Sequence, residues 1–306
     1  MNVAVLGAGK EGRDVASLCA CAGHHISVHA NDATKAMDRI DDIERAIVDA
    51  AGSGKISEPT KADAIDALEA TTDLEAAVSD CDIVIETTIT ESEQLQERFA
   101  DIESVVDRDC LITTSDPGVS LTTAAAGLRQ PDRAIGLNFL ALPNTPVVEV
   151  LIAGQTTVEP AMQAESFVDS LEATPVRVRD TVGVVSSRLS LALEAEAMRL
   201  VGDDVTDVEG IDTLLREGRE FPVGPLERAD RVGLDSRLDT LERLATAVGP
   251  RFEPPDVLHR LVEGGKTGAD VGEGFYRWEN GEPVESALEE PVLPARDDQP
   301  DDPAHR

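Results

Sequence analysis

Asn2-Val3-Ala4-Val5-Leu6-Gly7-Ala8-Gly9-Lys10-Glu11-Gly12 reads as a short strand running through a G-x-G-x-x-G turn into a helix over about 10–22. Residues 3–6 form the unbroken apolar run expected of a strand buried on both faces. Each glycine answers a steric demand: Gly7 permits the tight turn, Gly9 lets backbone amides approach a pyrophosphate, and Gly12 lets the helix lie close on the strand. The first N–H groups of the helix have no intrahelical acceptors, so an anion is favoured there. Lys10 adds a cation at the same turn. A second strand over 26–30, followed by Asn31 and Asp32, puts an acid about twenty residues beyond the turn, where a dinucleotide site holds a ribose hydroxyl.

Beyond that strand, helical periodicity over 33–51 breaks at Gly52-Ser53-Gly54 and resumes over about 59–68, which predicts an inserted helix pair. Gly54-Lys55 is not a phosphate-binding P-loop, because the spacing is wrong and Ile56 stands where Ser or Thr is needed. Strands are expected near 70–72, 82–86, 111–114, 134–139, 147–152 and 175–178, with helices over about 91–106 and 158–171. From Thr181 the strands stop, and helical patterns follow over 185–201, 207–217, 226–232, 236–248 and 255–263. The fold class is therefore α/β: a Rossmann-type dinucleotide-binding domain over 1–180, containing the helix pair at about 33–68, then an all-α domain over 181–282. The Pro- and Asp-rich acidic tail, 283–306, is expected to be poorly ordered. NAD is favoured over NADP by Asp32 and by the lack of an arginine near the end of the second strand.

Sixty acidic against 27 basic side chains give a net charge of -33, and the acids are spread along the whole chain. Such self-repulsion is relieved where salt screens it, so the composition points to a halophilic protein. It also argues against nucleic acid, since no basic stripe exists to neutralise phosphates. With no secretory signal and no long apolar run, a cytoplasmic protein with no membrane partner is expected. Cys19, Cys21, Cys81 and Cys110 match no zinc or redox spacing and read as small apolar residues, so no metal is expected.

Several stretches carry a more specific resemblance. Ala22-Gly23-His24 after the glycine turn, Gly54-Lys55-Ile56-Ser57 between the inserted helices, and Asp82-Ile83-Val84-Ile85-Glu86 are joined by two late signatures. One is Pro222-Val223-Gly224-Pro225-Leu226-Glu227 with Asp230, Gly233, Leu234 and Asp235; the other is Gly272-Glu273-Gly274-Phe275-Tyr276. Together they resemble the 3-hydroxyacyl-CoA dehydrogenase family over nearly the whole chain. The resemblance implies an NAD domain joined to a helical domain that forms a homodimer, and hydride transfer between NAD and C3 of an acyl-CoA. It further implies a histidine base on the sixth strand, oriented by a glutamate on the next. It puts Glu86, Glu91 and Ser115 beside the cofactor, and Lys55 and Lys61 near the CoA phosphates.

The catalytic stretch departs from that pattern. Asn138 stands in place of the histidine, Ala141 in place of an asparagine, and Gly118 in place of an active-site serine. Ser187, beside Arg188, takes the position of a second asparagine, and Glu149 follows Asn138 one residue sooner than the pattern implies. The acid expected at Ala30 is displaced to Asp32. A neutral amide is no general base near neutral pH. Glu149 is then the candidate catalytic group, with Asn138 orienting the substrate and Ser187 a third catalytic candidate. The alternatives are a homologue that binds NAD or acyl-CoA with little turnover, or a dehydrogenase of a small hydroxy acid without CoA.

Overall fold

In the computed structural model, which describes residues 1–7, 9–140, 142 and 147–288, the opening stretch forms β1 (Asn2–Leu6) and α1 (Lys10–Cys21). There follow β2 (His25–His29), the helix pair α2 (Ala33–Gly52) and α3 (Glu58–Asp66), β3 (Leu68–Thr71), α4 (Leu74–Val78), β4 (Ile83–Glu86) and α5 (Ser92–Glu103). The unit continues with β5 (Leu111–Thr114), α6 (Leu121–Ala125), β6 (Ala134–Leu140), β7 (Val147–Ile152), α7 (Val158–Ser170) and β8 (Thr174–Arg179).

These eight strands make one sheet in the order β3-β2-β1-β4-β5-β6-β7-β8. All pairs are parallel except β6 with β7, which a six-residue connection can join only as antiparallel neighbours. The strand order reverses direction beside β1, which is the switch point where such sheets open a crevice. Both faces are covered. Val3 and Val5 point into a core with α1, α2 and α7, while Ala4 and Leu6 point into a second core with α4, α5 and α6. Residues 3–6 of β1 are buried without alternation, as their apolar run predicts.

The chain divides into two compact units after Val184. The second holds α8 (Ser186–Gly202), α9 (Val208–Arg219), α10 (Pro225–Val232), α11 (Leu234–Val248) and α12 (Asp256–Glu263). It ends in an antiparallel hairpin, β9 (Tyr276–Glu279) and β10 (Glu282–Ser286). The unit is helical as expected, with this hairpin added at its end, and the first residues of the expected acidic tail, through Ser286, pair with β9 across the turn at Asn280-Gly281. Both turn residues have positive φ, 53° and 81°, as a two-residue hairpin turn requires. Tail residues 289–306, Ala8 of the glycine turn, and Ala141 and Pro143 of the catalytic stretch lie outside the described residues.

Two buried aspartates organise this second unit. Asp212 of α9 accepts the backbone N–H of Leu226 and Glu227 at 3.0 and 2.9 Å, capping α10 from a neighbouring helix. Gly224 precedes that helix because an added Cβ would run into the Asp212 carboxyl group. Asp230 of α10 accepts Phe275 N, Tyr276 N and Trp278 Nε1 at 2.9–3.0 Å, and a Cβ at Gly274 would occupy the same space as its carboxylate. The Tyr276 hydroxyl donates to Asp212 at 3.0 Å and ties the two anchors together. Burial pushes both aspartates above the usual carboxylate range, against the pull of these donors.

Candidate active site

The glycine turn forms the floor of the crevice. Gly7 has φ 135°, and an added Cβ would strike the Thr87 hydroxyl and the Thr88 methyl. At Gly12 a Cβ would lie 2.5 Å from the Gly7 carbonyl, so the helix packs on the turn only through glycine. Gly9 differs: among the described residues nothing lies within 4 Å of the position its Cβ would take. It also opens α1 with no side-chain cap hydrogen bond among the described residues. A helix start left open, with clear space at the residue before it, fits a pyrophosphate. The residues present are therefore those that would hold NAD.

Around this floor the expected cofactor residues divide. Ser115, just past β5, is 1% exposed, and its backbone N–H bonds the Glu86 carbonyl at 3.0 Å. Glu86 is equally buried but is turned inward: one oxygen accepts Thr88 N and Oγ1 at 2.8 and 2.6 Å, and the other lies 3.6 Å from Arg98 Nε. Its carboxylate shapes the turn after β4. Asp32 is the N-cap of α2, with Oδ1 accepting Lys35 N at 3.1 Å, which engages one of the two oxygens expected at the ribose. Asn31 and Glu91 are exposed, Glu91 at the N-cap of α5.

One group in this region was not read from the sequence as functional. Glu11, a variable position of the glycine motif, is half-buried at the start of α1. Burial pushes Glu11 above the usual carboxylate range; the Ser115 hydroxyl opposes this, and Asp116 and Asp14 add to it. The only sequence signal was an acid inside an anion-binding turn.

Asn138 and Glu149 face each other directly across the β6–β7 ladder, and Asn138 Nδ2 donates to Glu149 Oε2 at 2.6 Å. Glu149 is 3% exposed. The ladder runs unbroken from Ile135↔Ile152 to Leu140↔Val147, so the one-residue shortening falls outside it and leaves the pair in register. Ser187 lies in the first turn of α8, in the second unit, half-buried.

Lys10 and Lys55 line one cavity of about 620 Å³ in the first unit, together with Arg13 and Arg45. Arg13 pairs with Asp14 at 2.6 Å and Arg45 with Asp42 at 2.8 Å, so acids share the cavity wall. Lys61 behaves differently: it pairs with Glu58 one turn earlier on α3, and it is not among the described residues lining this cavity. His29 is buried at the end of β2, and burial and Arg98 push its pKa down. Among the described residues no group of three or more His, Cys, Asp or Glu is placed to hold a metal, and no helix is long and apolar enough to cross a membrane. All four cysteines are free, and burial pushes the Cys19 and Cys110 thiols up to about 12.

Residues 2–181 match the family model described as 3-hydroxyacyl-CoA dehydrogenase, NAD binding domain, and residues 183–278 match its C-terminal domain. The chain is 31% identical over 285 residues to a 3-hydroxybutyryl-CoA dehydrogenase of Mycobacterium tuberculosis, covering 90% of this chain and 98% of that one. It is 29% identical over 281 residues to a probable 3-hydroxybutyryl-CoA dehydrogenase of Deinococcus radiodurans, covering 91% of this chain and all of the other. Its fold is similar to the crystal structure of (S)-3-hydroxybutyryl-CoA dehydrogenase from Ralstonia eutropha, with a TM-score of 0.87 at 26% identity over 91% of this chain and 99% of that one. With both family domains matched in order along the chain, the first over the sheet with its switch point and the second over the helical unit, the chain belongs to the 3-hydroxyacyl-CoA dehydrogenase family.

Proposed function

We propose that this chain is an NAD-dependent oxidoreductase that transfers a hydride between C3 of a short 3-hydroxyacyl-CoA and NAD, with Glu149 in place of the histidine base. The observation that carries the reading is the Asn138–Glu149 pair, held in register on adjacent strands with the carboxylate buried. NAD, when bound, supplies the hydride acceptor. Glu149 takes the proton of the substrate hydroxyl on a carboxylate oxygen. Asn138 fixes the carboxylate through its amide N–H and orients the substrate oxygen. The resemblance counts Ser187 as a third catalytic residue. Gly7, Gly9 and Gly12 admit the pyrophosphate, with Lys10 beside it. Lys55, on the wall of the cavity it shares with Lys10, and Lys61, on α3, serve the CoA phosphates.

The family resemblance supports dimerisation through the helical unit. The dispersed acidic charge supports a halophilic cytoplasmic setting.

The same amide–carboxylate bond favours a second reading, in which Glu149 is held as a structural partner and the chain binds NAD or acyl-CoA with little turnover. NADH oxidation with acetoacetyl-CoA at high KCl, with an NADH titration on the same sample, separates the two. Turnover that Glu149→Gln abolishes supports the dehydrogenase. NADH binding without turnover in the native chain supports the binding protein. Lys55→Ala is expected to raise KM for the CoA substrate roughly threefold to tenfold, the scale of one lost charge–phosphate contact, and to leave NADH affinity unchanged.

A further inference from the structure

We propose that the adenosine end of this crevice accepts a 2′-phosphate, so that the chain binds NADP as well as NAD, with Lys35 holding the extra phosphate. The proposal rests on the assignment of the crevice to a nicotinamide dinucleotide. A site selective for NAD places an acid at the end of the second strand, where it accepts the ribose 2′-hydroxyl and repels a phosphate. Here the end of β2 lies against the glycine turn, since Gly7 N donates to the His29 carbonyl at 3.1 Å. The next residue, Ala30, is buried and carries only a methyl group. Its N–H bonds the Thr71 carbonyl at 3.2 Å and continues the ladder to β3. The position beside the turn therefore has no carboxylate to reject a phosphate.

Two acids stand farther out, and both are engaged as helix caps. Asp32 follows Ala30 by two residues, up to about 7 Å along the chain, in extended backbone with φ -143°. Its Oδ1 accepts Lys35 N at 3.1 Å. Asp73, beyond β3, caps α4, with Oδ1 accepting Glu75 N at 3.0 Å. Lys35 has the opposite character. It stands in the first turn of α2, where a cation opposes the helix dipole and costs the helix stability. The chain has only five lysines to place, and this one does nothing for the helix that carries it. No acid shares that first turn. Lys35 is exposed, and among the described residues its ammonium is in no ion pair. Asn31, exposed between Ala30 and the cap, adds a neutral amide donor. A 2′-phosphate supplies the negative partner that explains a lysine at this place.

The test is titration with NADH and with NADPH, read by nicotinamide fluorescence at one fixed KCl concentration, on native protein, Lys35→Ala and Ala30→Asp. The two native dissociation constants should lie within about tenfold of each other, less than one hydrogen bond to a charged group is worth. Lys35→Ala should weaken NADPH roughly threefold to tenfold, the scale of one partly solvated charge pair, and leave NADH unchanged. Ala30→Asp should create selectivity, tightening NADH and weakening NADPH until the two differ by roughly a hundredfold. Because Ala30 is buried, the exposed Lys35→Glu serves as a second variant, which should weaken NADPH more than Lys35→Ala does and still spare NADH. Native protein that prefers NADH by more than about tenfold overturns the proposal and spares the assignment of the crevice, as does a Lys35→Ala that leaves NADPH binding unchanged. Native protein that binds neither cofactor overturns both.

Discussion

Asp230 accepts two backbone N–H groups and an indole N–H, all at 2.9–3.0 Å and all fixed by the course of the chain, while Glu149 takes its 2.6 Å bond from the side chain of Asn138. Both carboxylates are buried, at 1% and 3% exposure. The difference lies in what a substitution nearby would disturb. Around Asp230 two of the three donors are peptide groups, and Gly274, whose Cβ would collide with the carboxylate, brings them close. Changing the sequence there moves the backbone. Across from Glu149 the β6–β7 ladder sets the distance, and the ladder is indifferent to which side chain stands at 138. An asparagine therefore occupies that position with the register intact. The late signatures that identify the family in this chain are scaffold, and the catalytic strand is where chemistry can change without cost to the fold.

Glu149→Gln tests that contrast with the largest expected effect. Removing a general base typically lowers turnover by about 10²–10⁴-fold. The glutamine keeps an acceptor for the Asn138 amide, so the denaturation midpoint should hardly move. A large loss of stability with it would put Glu149 in the same class as Asp230. Asp230→Asn should do the reverse: an amide NH2 would confront N–H donors that cannot turn away, costing about 3 kcal/mol. Urea denaturation reads this as a lowered midpoint at unchanged slope. Turnover per folded molecule should stay near native, and a selective loss of turnover would break the comparison.

Legibility in the sequence follows the same division. Strands β4, β6 and β7 lie within one residue of their apolar runs, because strands buried on both faces leave little ambiguity. The Asn138–Glu149 pairing was implied by the resemblance and is realised by the ladder. The β9–β10 hairpin was missed because acidic composition outweighed a local signal, alternation over Tyr276-Arg277-Trp278-Glu279 followed by Asn280-Gly281. Asp32 was read by its distance from the glycine turn, whereas its position directly before a helix makes it an N-cap.

Tyr276→Phe asks whether the two aspartate anchors act as one. The hydroxyl is the direct bond between them, donating to Asp212 Oδ2 at 3.0 Å, and burial together with Asp212 pushes its pKa up, so it remains a donor. Its removal leaves that oxygen with the Glu227 N–H at 2.9 Å and leaves the backbone N–H of residue 276 on Asp230. Neither carboxylate is stranded, so the cost should be about 1 kcal/mol, an ordinary buried hydrogen bond, seen as a small drop in the urea midpoint. Losing the Tyr276 donor also removes one of the influences that lower the Asp212 pKa, so that group should titrate higher still. The sign then follows: a carboxyl protonated more readily in the folded than in the unfolded state favours the fold at low pH, and that advantage is lost as pH rises through the folded-state value. The penalty of the variant should accordingly be smaller in acid than at neutral pH. A cost equal to that of Asp230→Asn would mean that the two signatures form a single cooperative network, not two anchors joined by one bond.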